Sequence, residues 1–553
     1  MSTLDWIVLG LFGLGLIGIV VWVILKKDKN TTDYFLAGRD ATWIAIGASI
    51  FASNIGSEHL VGLAGAGAES GMAMAHWEMH GWMILMLGWL FVPFYSRSKV
   101  FTMPEFLERR YNRSARSFLS IISLVSYILT KVAVTVYAGG VVFKDVFNIE
   151  YVSFFGYNID FFWISAIGLV VLTGIYTTFG GMKAVLYTSV LQTPILLIGS
   201  IAVLVLGLIK VGGWNEMMEI CRANVTVHGD SMTSLMRSPK DLDFPWTGVI
   251  LGSAIIGFWY WCTDQYIVQR VLSGRDMKQS RRGAIFGAYL KLTPVFIFLI
   301  PGMIAYALNQ KGLIVLSGND AAFSTMVKEL LPIGFKGIVI GGILAALMSS
   351  LASLFNSSAM LFTIDFYQKY KPNETEKHYV LVGRMATIAI VLLGIAWIPV
   401  MKGLGKVLYE YLQDVQSLLA PGIAAVFLLG ILSKRTTPAA GIWGLIIGFT
   451  LGMLRLGLSI FKEYVPDDSF IYTLILSHNW LHYEIYLFFI VIAAMVIISF
   501  FTERKDPNTI VGLTIGTASA AQRAETRASY NYWDVINSAI IITIILVFYA
   551  YFW

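Results

Sequence analysis

Five polar side chains stand inside long apolar runs of the sequence: His59, Glu78, Asp264, Lys291 and Gln413. An ionisable group in a membrane-spanning segment is costly, and such groups mark solute pathways, ion pathways or proton relays. Any one of them could instead pair with another and serve only to hold helices together. Their occurrence in five different segments favours a shared polar cavity that binds a hydrophilic solute or an ion.

Two aromatic residues, Tyr260 and Trp261, lie in the run WYWCTDQY, well before Arg270, the first basic residue of the next polar loop. This position puts both rings inside the membrane rather than at its surface. Their flat apolar faces would stack well on a sugar ring, and ordinary helix packing is the alternative.

Hydroxyl groups dominate another run, AALMSSLASLFNSS at residues 345–358. Small residues allow close helix packing in membranes, and serine hydroxyls can bond back to their own helix. That interpretation suits Ser353, Ser357 and Ser358. Ser349 and Ser350 have a second possible role, because a hard cation takes several oxygen ligands and hydroxyls supply them without adding charge. The run therefore allows a sodium site that backbone carbonyls complete.

The run ASNIGSEHLVGLAGAGAESG, residues 52–71, should interrupt a membrane helix. Asparagine and serine compete for backbone hydrogen bonds, and each glycine costs about 1 kcal/mol of helix stability relative to alanine. Carbonyls freed at membrane depth are tolerated only beside a cavity or within protein. We therefore expect a broken helix of the kind that binds ions and substrate in transporters. The glycines do not have the spacing of a dinucleotide-binding loop.

The composition indicates an all-α polytopic membrane protein. The chain is 57% apolar and 13% charged, against about 25% charged in soluble proteins. Its basic residues gather in alternate loops, as the positive-inside rule requires if both termini lie outside, so the net charge of +6 does not indicate nucleic-acid binding. Apolar runs long enough to span predict about 14 transmembrane helices, at 5–26, 42–65, 72–96, 118–146, 161–178, 184–211, 246–270, 284–308, 334–366, 379–401, 405–432, 438–461, 483–502 and 531–553.

Several motifs resemble the sodium/glucose cotransporter family (the solute:sodium symporters), in particular its sugar-transporting branch. They include DYFLAGRDATWIAIGASIFASNIGSEHLVGLAG, TMPEFLERRYN, WYWCTDQYIVQRVLSG and AALMSSLASLFNSSAMLFTIDFYQKY, and they occur in family order. The resemblance implies a LeuT-type core of two inverted five-helix repeats. The implied division is an N-terminal extra helix and inner loop at 1–32, a first repeat at 33–211, an outer loop at 212–245, a second repeat at 246–436, and three C-terminal helices at 437–553.

The resemblance also implies two sets of binding residues. The implied sodium ligands are the backbone carbonyls of Ala52, Ile55 and Ala346 and the hydroxyls of Ser349 and Ser350. The implied sugar contacts are Asn54, His59, Glu78, Tyr260, Trp261, Lys291 and Gln413, with Tyr260 closing the inner side of the site.

What the resemblance implies is a transporter and not an enzyme. We expect sodium-coupled import of a neutral monosaccharide, glucose-like or galactose-like, by alternating access in the bilayer of the plasma (cell inner) membrane, with a single chain sufficient. Ser189 in LYTSVLQT stands where family members often have an aspartate near the sodium route, so we expect one Na⁺ per sugar. The alternatives are sodium symport of myo-inositol or sialic acid, a sugar channel or sensor that does not concentrate its solute, and a proton-coupled carrier that uses His59 or Glu78.

Overall fold

The structure is a computed structural model, and it is almost entirely helical. It describes residues 1–553 except 27, 57, 148, 155, 226–227 and 405–407, and it does not describe the side chains of 129, 145, 154, 400–414 and 463. The longer helices are Thr3–Leu25, Trp43–Asn54, Arg113–Ser126, Ala133–Phe147, Phe161–Val211, Trp214–Ala223, Trp246–Phe258, Met277–Lys291, Ile300–Gln310, Phe335–Met360, Glu376–Leu404, Leu408–Leu432, Pro438–Ile460, Trp480–Phe501 and Tyr532–Tyr551. The shorter helices are Thr31–Leu36, Ala64–Glu69, Ala75–Glu78, Gly81–Met86, Val92–Ser98, Met103–Arg110, Gln265–Leu272, Ala322–Leu330, Gln368–Tyr370 and Ala520–Ala528, and the strands Tyr151–Phe154 and Tyr157–Asp160 pair antiparallel.

The number of membrane crossings depends on how interrupted helices are counted. Within the described residues, 11 helical stretches are long and apolar enough to cross a membrane. One of them, Phe161–Val211, holds 51 residues and is interrupted at Gly181, where φ is 51° and ψ is −150°. Two further segments are broken helices with no single stretch of sufficient length. The polytopic, all-helical class is confirmed, whereas the figure of 14 crossings stays a prediction.

The first broken helix lies where the sequence predicts it. Its first half, Trp43–Asn54, ends because Ile55 is extended, with φ −75° and ψ 113°. The chain then resumes as a π-helical turn, Glu58–Leu63, and continues as the second half, Ala64–Glu69. The last four carbonyls of an α-helix have no partner within that helix, so the carbonyls of residues 52–55 are released from helical bonding at this depth.

A second broken helix, which the sequence did not predict, surrounds Asp264. The helix Trp246–Phe258 loosens into a π-helical turn, Trp259–Thr263, and Asp264 then adopts φ −76° and ψ 126°. The Asp264 carboxylate accepts a hydrogen bond from the backbone N–H of Tyr266 and so caps the second half of this helix, Gln265–Leu272. Besides the interruption at Gly181, the described residues thus include two helices broken at an extended residue, one in each of the predicted repeats.

The second half of the first broken helix packs directly on the backbone at the start of a neighbouring helix, Ile300–Gln310. A Cβ atom added at Gly302 would lie 2.0 Å from the carbonyl oxygen of Ala64, and one added at Gly67 would lie 2.2 Å from the carbonyl oxygen of Leu299. Only glycine fits at these two positions. This contact fixes the second half of the broken helix against the neighbouring helix.

Candidate functional site

A buried cavity lies between the two breaks. Six of the seven predicted solute contacts line it: Asn54, His59, Glu78, Tyr260, Trp261 and Lys291. The seventh, Gln413, belongs to the helix Leu408–Leu432, but its side chain lies outside the described residues. Gln416, one turn further along that helix, lines the cavity.

An ion pair and its hydrogen-bonded neighbours link several of the side chains that line the cavity. The Lys291 ammonium donates to Glu78 Oε2 at 2.6 Å and to Asn54 Oδ1 at 3.1 Å. The Asn54 amide in turn donates to the Tyr260 hydroxyl at 3.2 Å. These groups come from four separate segments: the two broken helices, the helix Met277–Lys291 and the short helix Ala75–Glu78. The structure thus joins side chains that the sequence singled out one by one.

Several buried polar atoms of the cavity have no hydrogen-bond partner among the described residues. They are both ring nitrogens of His59, Trp77 Nε1 and His80 Nε2. His59 Nε2 is 3.4 Å from Glu78 Oε1, close enough for an ion pair but without hydrogen-bond geometry. Buried polar groups in native proteins are nearly always hydrogen-bonded. Unpaired donors and acceptors around one cavity therefore fit a site that a hydroxylated ligand or water completes.

Trp77 and His80 were not among the predicted site residues, although both belong to the run AHWEMHGW that contains Glu78. A histidine in an apolar run carries the same cost that marked His59, so His80 could have been found by that argument. Trp77 gives no such signal, because a tryptophan is ordinary in a membrane helix.

A second buried ion pair includes a lysine that lines the cavity and that the sequence analysis did not single out. Lys131, in the run YILTKV, lines the cavity and donates to Asp264 Oδ2 at 2.8 Å, while the Tyr127 hydroxyl donates to Asp264 Oδ1. The ammonium is 4.7 Å from the ring centroid of Tyr260 and 4.6 Å from that of Tyr266, distances typical of a cation–π contact. Asp264 therefore stands at the break with its charge balanced locally by Lys131.

The predicted sodium ligands occupy two segments that meet beside the cavity. Ala52 and Ile55 are among the residues whose carbonyls the first break releases, and Ala346, Ser349 and Ser350 lie on the helix Phe335–Met360. All five are at most 2% exposed. The two segments touch through the hydroxyls of Ser53 and Ser353, 2.7 Å apart. Ser350 also lines the cavity, so the predicted ion site and the predicted solute site adjoin.

Two further residues contact the predicted sodium ligands. The Tyr266 hydroxyl donates to the carbonyl of Ser53 and lies 3.1 Å from Ser350 Oγ. Ser189 Oγ lies 3.3 Å from Ser349 Oγ. Ser189 is the residue that stands where the resemblance led us to look for an aspartate. Neither contact was predicted from the sequence.

Two broken helices that enclose a buried polar cavity define a secondary transporter with the LeuT-type fold. The chain belongs to the sodium:solute symporter family, whose model matches residues 34–448. It is 36% identical over 543 residues to a human sodium/myo-inositol cotransporter 2, covering 92% of this chain and 78% of that protein. It is 36% identical over 518 residues to sodium/glucose cotransporter 1 of Sus scrofa, covering 87% of this chain and 76% of that protein.

The fold has a solved counterpart in a Na⁺-coupled sialic acid symporter in a substrate-bound, outward-open state. The TM-score is 0.73 at 19% sequence identity, and the match covers 91% of this chain and 99% of that one. Together with the family membership, these comparisons establish a multi-pass, sodium-coupled solute symporter rather than an enzyme.

Proposed function

We propose that the chain imports a neutral monosaccharide, glucose-like or galactose-like, together with one Na⁺ per sugar by alternating access. The observation that carries the proposal is the cavity itself, which is lined both by hydrogen-bonding side chains and by the aromatic residues Tyr260 and Trp261. The two ammonium groups that line it are both paired, Lys291 with Glu78 and Lys131 with Asp264, so the charge of each is balanced. A balanced cavity suits a neutral polyhydroxylated solute.

In this proposal the polar wall recognises the sugar hydroxyls and the aromatic wall stacks on the ring. The residues assigned to hydroxyl recognition are Asn54, His59, Glu78, Lys291 and Gln413. Tyr260 closes the inner side, and its hydrogen bond from Asn54 must open before the sugar leaves inward. One chain suffices, with both termini outside the plasma (cell inner) membrane.

Sodium is assigned to the carbonyls of Ala52, Ile55 and Ala346 and the hydroxyls of Ser349 and Ser350. An ion bound there would bridge the first broken helix to the helix Phe335–Met360. Bridging would hold Asn54 and His59, which flank the break, in position for the sugar. Sodium binding would thus precede and strengthen sugar binding.

One sodium ion supplies enough energy for nutrient uptake. Moving one charge through a potential of ~100 mV releases about 2.3 kcal/mol, and a tenfold sodium gradient adds roughly 1.4 kcal/mol. The sum supports sugar accumulation on the order of several hundred-fold. A second ion is not required on energetic grounds.

Myo-inositol is the second candidate, because a sodium/myo-inositol cotransporter is as similar to this chain as a sodium/glucose cotransporter. It is also a neutral polyol with a ring of hydroxyls, so the same cavity would suit it. A carboxylate such as sialic acid is less well matched, because Lys291 is paired with Glu78 and Lys131 with Asp264. Neither ammonium is then available to an anionic solute.

The test is uptake of labelled glucose by the purified protein in proteoliposomes, with and without an inward sodium gradient. Competition by glucose, galactose, myo-inositol and sialic acid ranks the substrates. Uphill accumulation that requires sodium, with a neutral sugar as the strongest competitor, supports the proposal. Equilibration without accumulation would identify a channel or sensor, and accumulation driven by a proton gradient alone would identify a proton-coupled carrier.

A further inference from the structure

A hydroxyl that binds a cation must turn a lone pair toward the ion, and its proton must point elsewhere. Outer-shell hydrogen bonds orient ligands in this way at metal sites. The question therefore arises where the protons of Ser349 and Ser350 go, given the sodium site proposed above, on which this inference rests. Among the described residues, each of the two hydroxyls has one hydrogen-bonding side chain beside it.

The neighbour of Ser350 is Tyr266. A carbonyl oxygen can only accept, so the bond between the Tyr266 hydroxyl and the carbonyl of Ser53 uses the single Tyr266 proton. In the remaining contact, 3.1 Å long, the Tyr266 oxygen must then accept and Ser350 must donate. With its proton committed to Tyr266, the Ser350 oxygen keeps its lone pairs for an ion on the other side.

The neighbour of Ser349 is Ser189. The Ser189 hydroxyl donates to the carbonyl of Val185 at 2.6 Å, a stronger bond than its 3.4 Å contact with Ser49 Oγ. Since its proton is used there, the Ser189 oxygen accepts in its 3.3 Å contact with Ser349 Oγ. Ser349 therefore donates its proton to Ser189, and its lone pairs, like those of Ser350, stay available for an ion.

We propose that Tyr266 and Ser189 are positioning residues of the sodium site, which set the direction of the two ligand hydroxyls without touching the ion. Both are buried, at 2% and 0% exposure. Tyr266 belongs to the second half of the second broken helix, Gln265–Leu272, and Ser189 to the long helix Phe161–Val211. Ser189 thus accepts a hydrogen bond from Ser349 as a neutral group, at a position where family members often have a carboxylate.

The first experiment measures sodium affinity and sugar affinity separately in proteoliposomes. Tyr266→Phe removes the acceptor but keeps the ring, and we expect the half-saturating sodium concentration to rise about tenfold, at the lower end of typical outer-shell effects. At saturating sodium the KM for sugar should stay within twofold of wild type. Tyr176→Phe is the matched control, because the Tyr176 hydroxyl donates to the carbonyl of Met348 on the same helix but not to a ligand hydroxyl. It should leave the sodium titration unchanged.

The second experiment asks through which ligand each residue acts. In a Ser349→Ala background, Ser189→Ala should cause no further loss of sodium affinity, because its target hydroxyl is gone. Tyr266→Phe should still cost about tenfold there, since Ser350 is intact. A sodium-dependent rise in melting temperature in detergent gives the affinities even where transport is slow.

The outcomes separate this inference from the proposed site. If Ser349→Ala and Ser350→Ala both keep wild-type sodium affinity, the proposed site itself is wrong. If they weaken sodium binding but Tyr266→Phe does not, or if Ser189→Ala weakens it equally with and without Ser349, the positioning role is wrong and the site stands. An equal rise in the sugar KM would likewise mean that Tyr266 is merely structural.

Discussion

Replacing Lys291 by methionine should destabilise the protein more than the same replacement of a lysine on the surface. The substitution leaves the Glu78 carboxylate, whose side chain is 5% exposed, without the ammonium that lies 2.6 Å away. Removing one partner of a buried ion pair costs about 3–5 kcal/mol, because the remaining charge is uncompensated. His59, 3.4 Å from the other carboxylate oxygen, offsets part of this loss only if it takes up a proton.

The double variant Lys291→Met with Glu78→Gln separates charge from shape. With both charges gone, the desolvation cost disappears, and replacing a whole buried pair is often close to neutral. We therefore expect the double variant to regain most of the lost stability. It should still transport poorly, because two groups assigned to the sugar hydroxyls are altered.

The assay is the free energy of unfolding in mixed micelles, measured without sodium or sugar so that ligand binding does not enter. Lys311→Met is the control, since Lys311 pairs with Glu216 at 3.0 Å on the surface, where such pairs contribute about 0–1 kcal/mol. A Lys291→Met protein as stable as the control, or a double variant as unstable as the single one, would refute the account of a coupled buried pair.

Three further predictions concern transport. Ser350→Ala should remove the response of sugar uptake to an inward sodium gradient; normal coupling in that variant would eliminate the cation site assigned here. Gln413→Ala should raise the KM for sugar about fivefold, the equivalent of one neutral hydrogen bond of about 1 kcal/mol, and an unchanged KM would remove Gln413 from the site. Current and labelled-sugar flux recorded together should give one charge per sugar, whereas two charges would contradict the single-sodium proposal.

The sequence allowed part of the cavity to be predicted because charged groups are expensive in a membrane, although the same argument missed Lys131, which also lines it. His59, Glu78 and Lys291 lie in different segments, yet cost alone placed them in a shared polar site, and the structure has them on one wall. The first break could be predicted because glycine, asparagine and serine weaken a helix locally. The binding roles of these residues stay predictions.

The second break could not be predicted in the same way. The run WYWCTDQY has no glycine or proline to announce an interruption. The helix opens there because Asp264 finds partners that are distant in sequence, Lys131 and Tyr127, and tertiary contacts of that kind leave no local signal. The direction of the serine hydroxyls is beyond sequence reasoning for the same reason, since Ser189 and Ser349 are brought together only by the fold.

The contact between Gly67 and the Leu299 carbonyl, and between Gly302 and the Ala64 carbonyl, sets a limit on how this chain can vary. A solute-binding side chain can be exchanged for another and yield a carrier with altered selectivity. These two glycines cannot be replaced by any other residue, because even a methyl group would force two backbones apart. In a scan of all substitutions, the least tolerant positions should therefore include residues that never contact the solute. Residues that set selectivity should vary more freely in evolution than the two glycines at this helix contact.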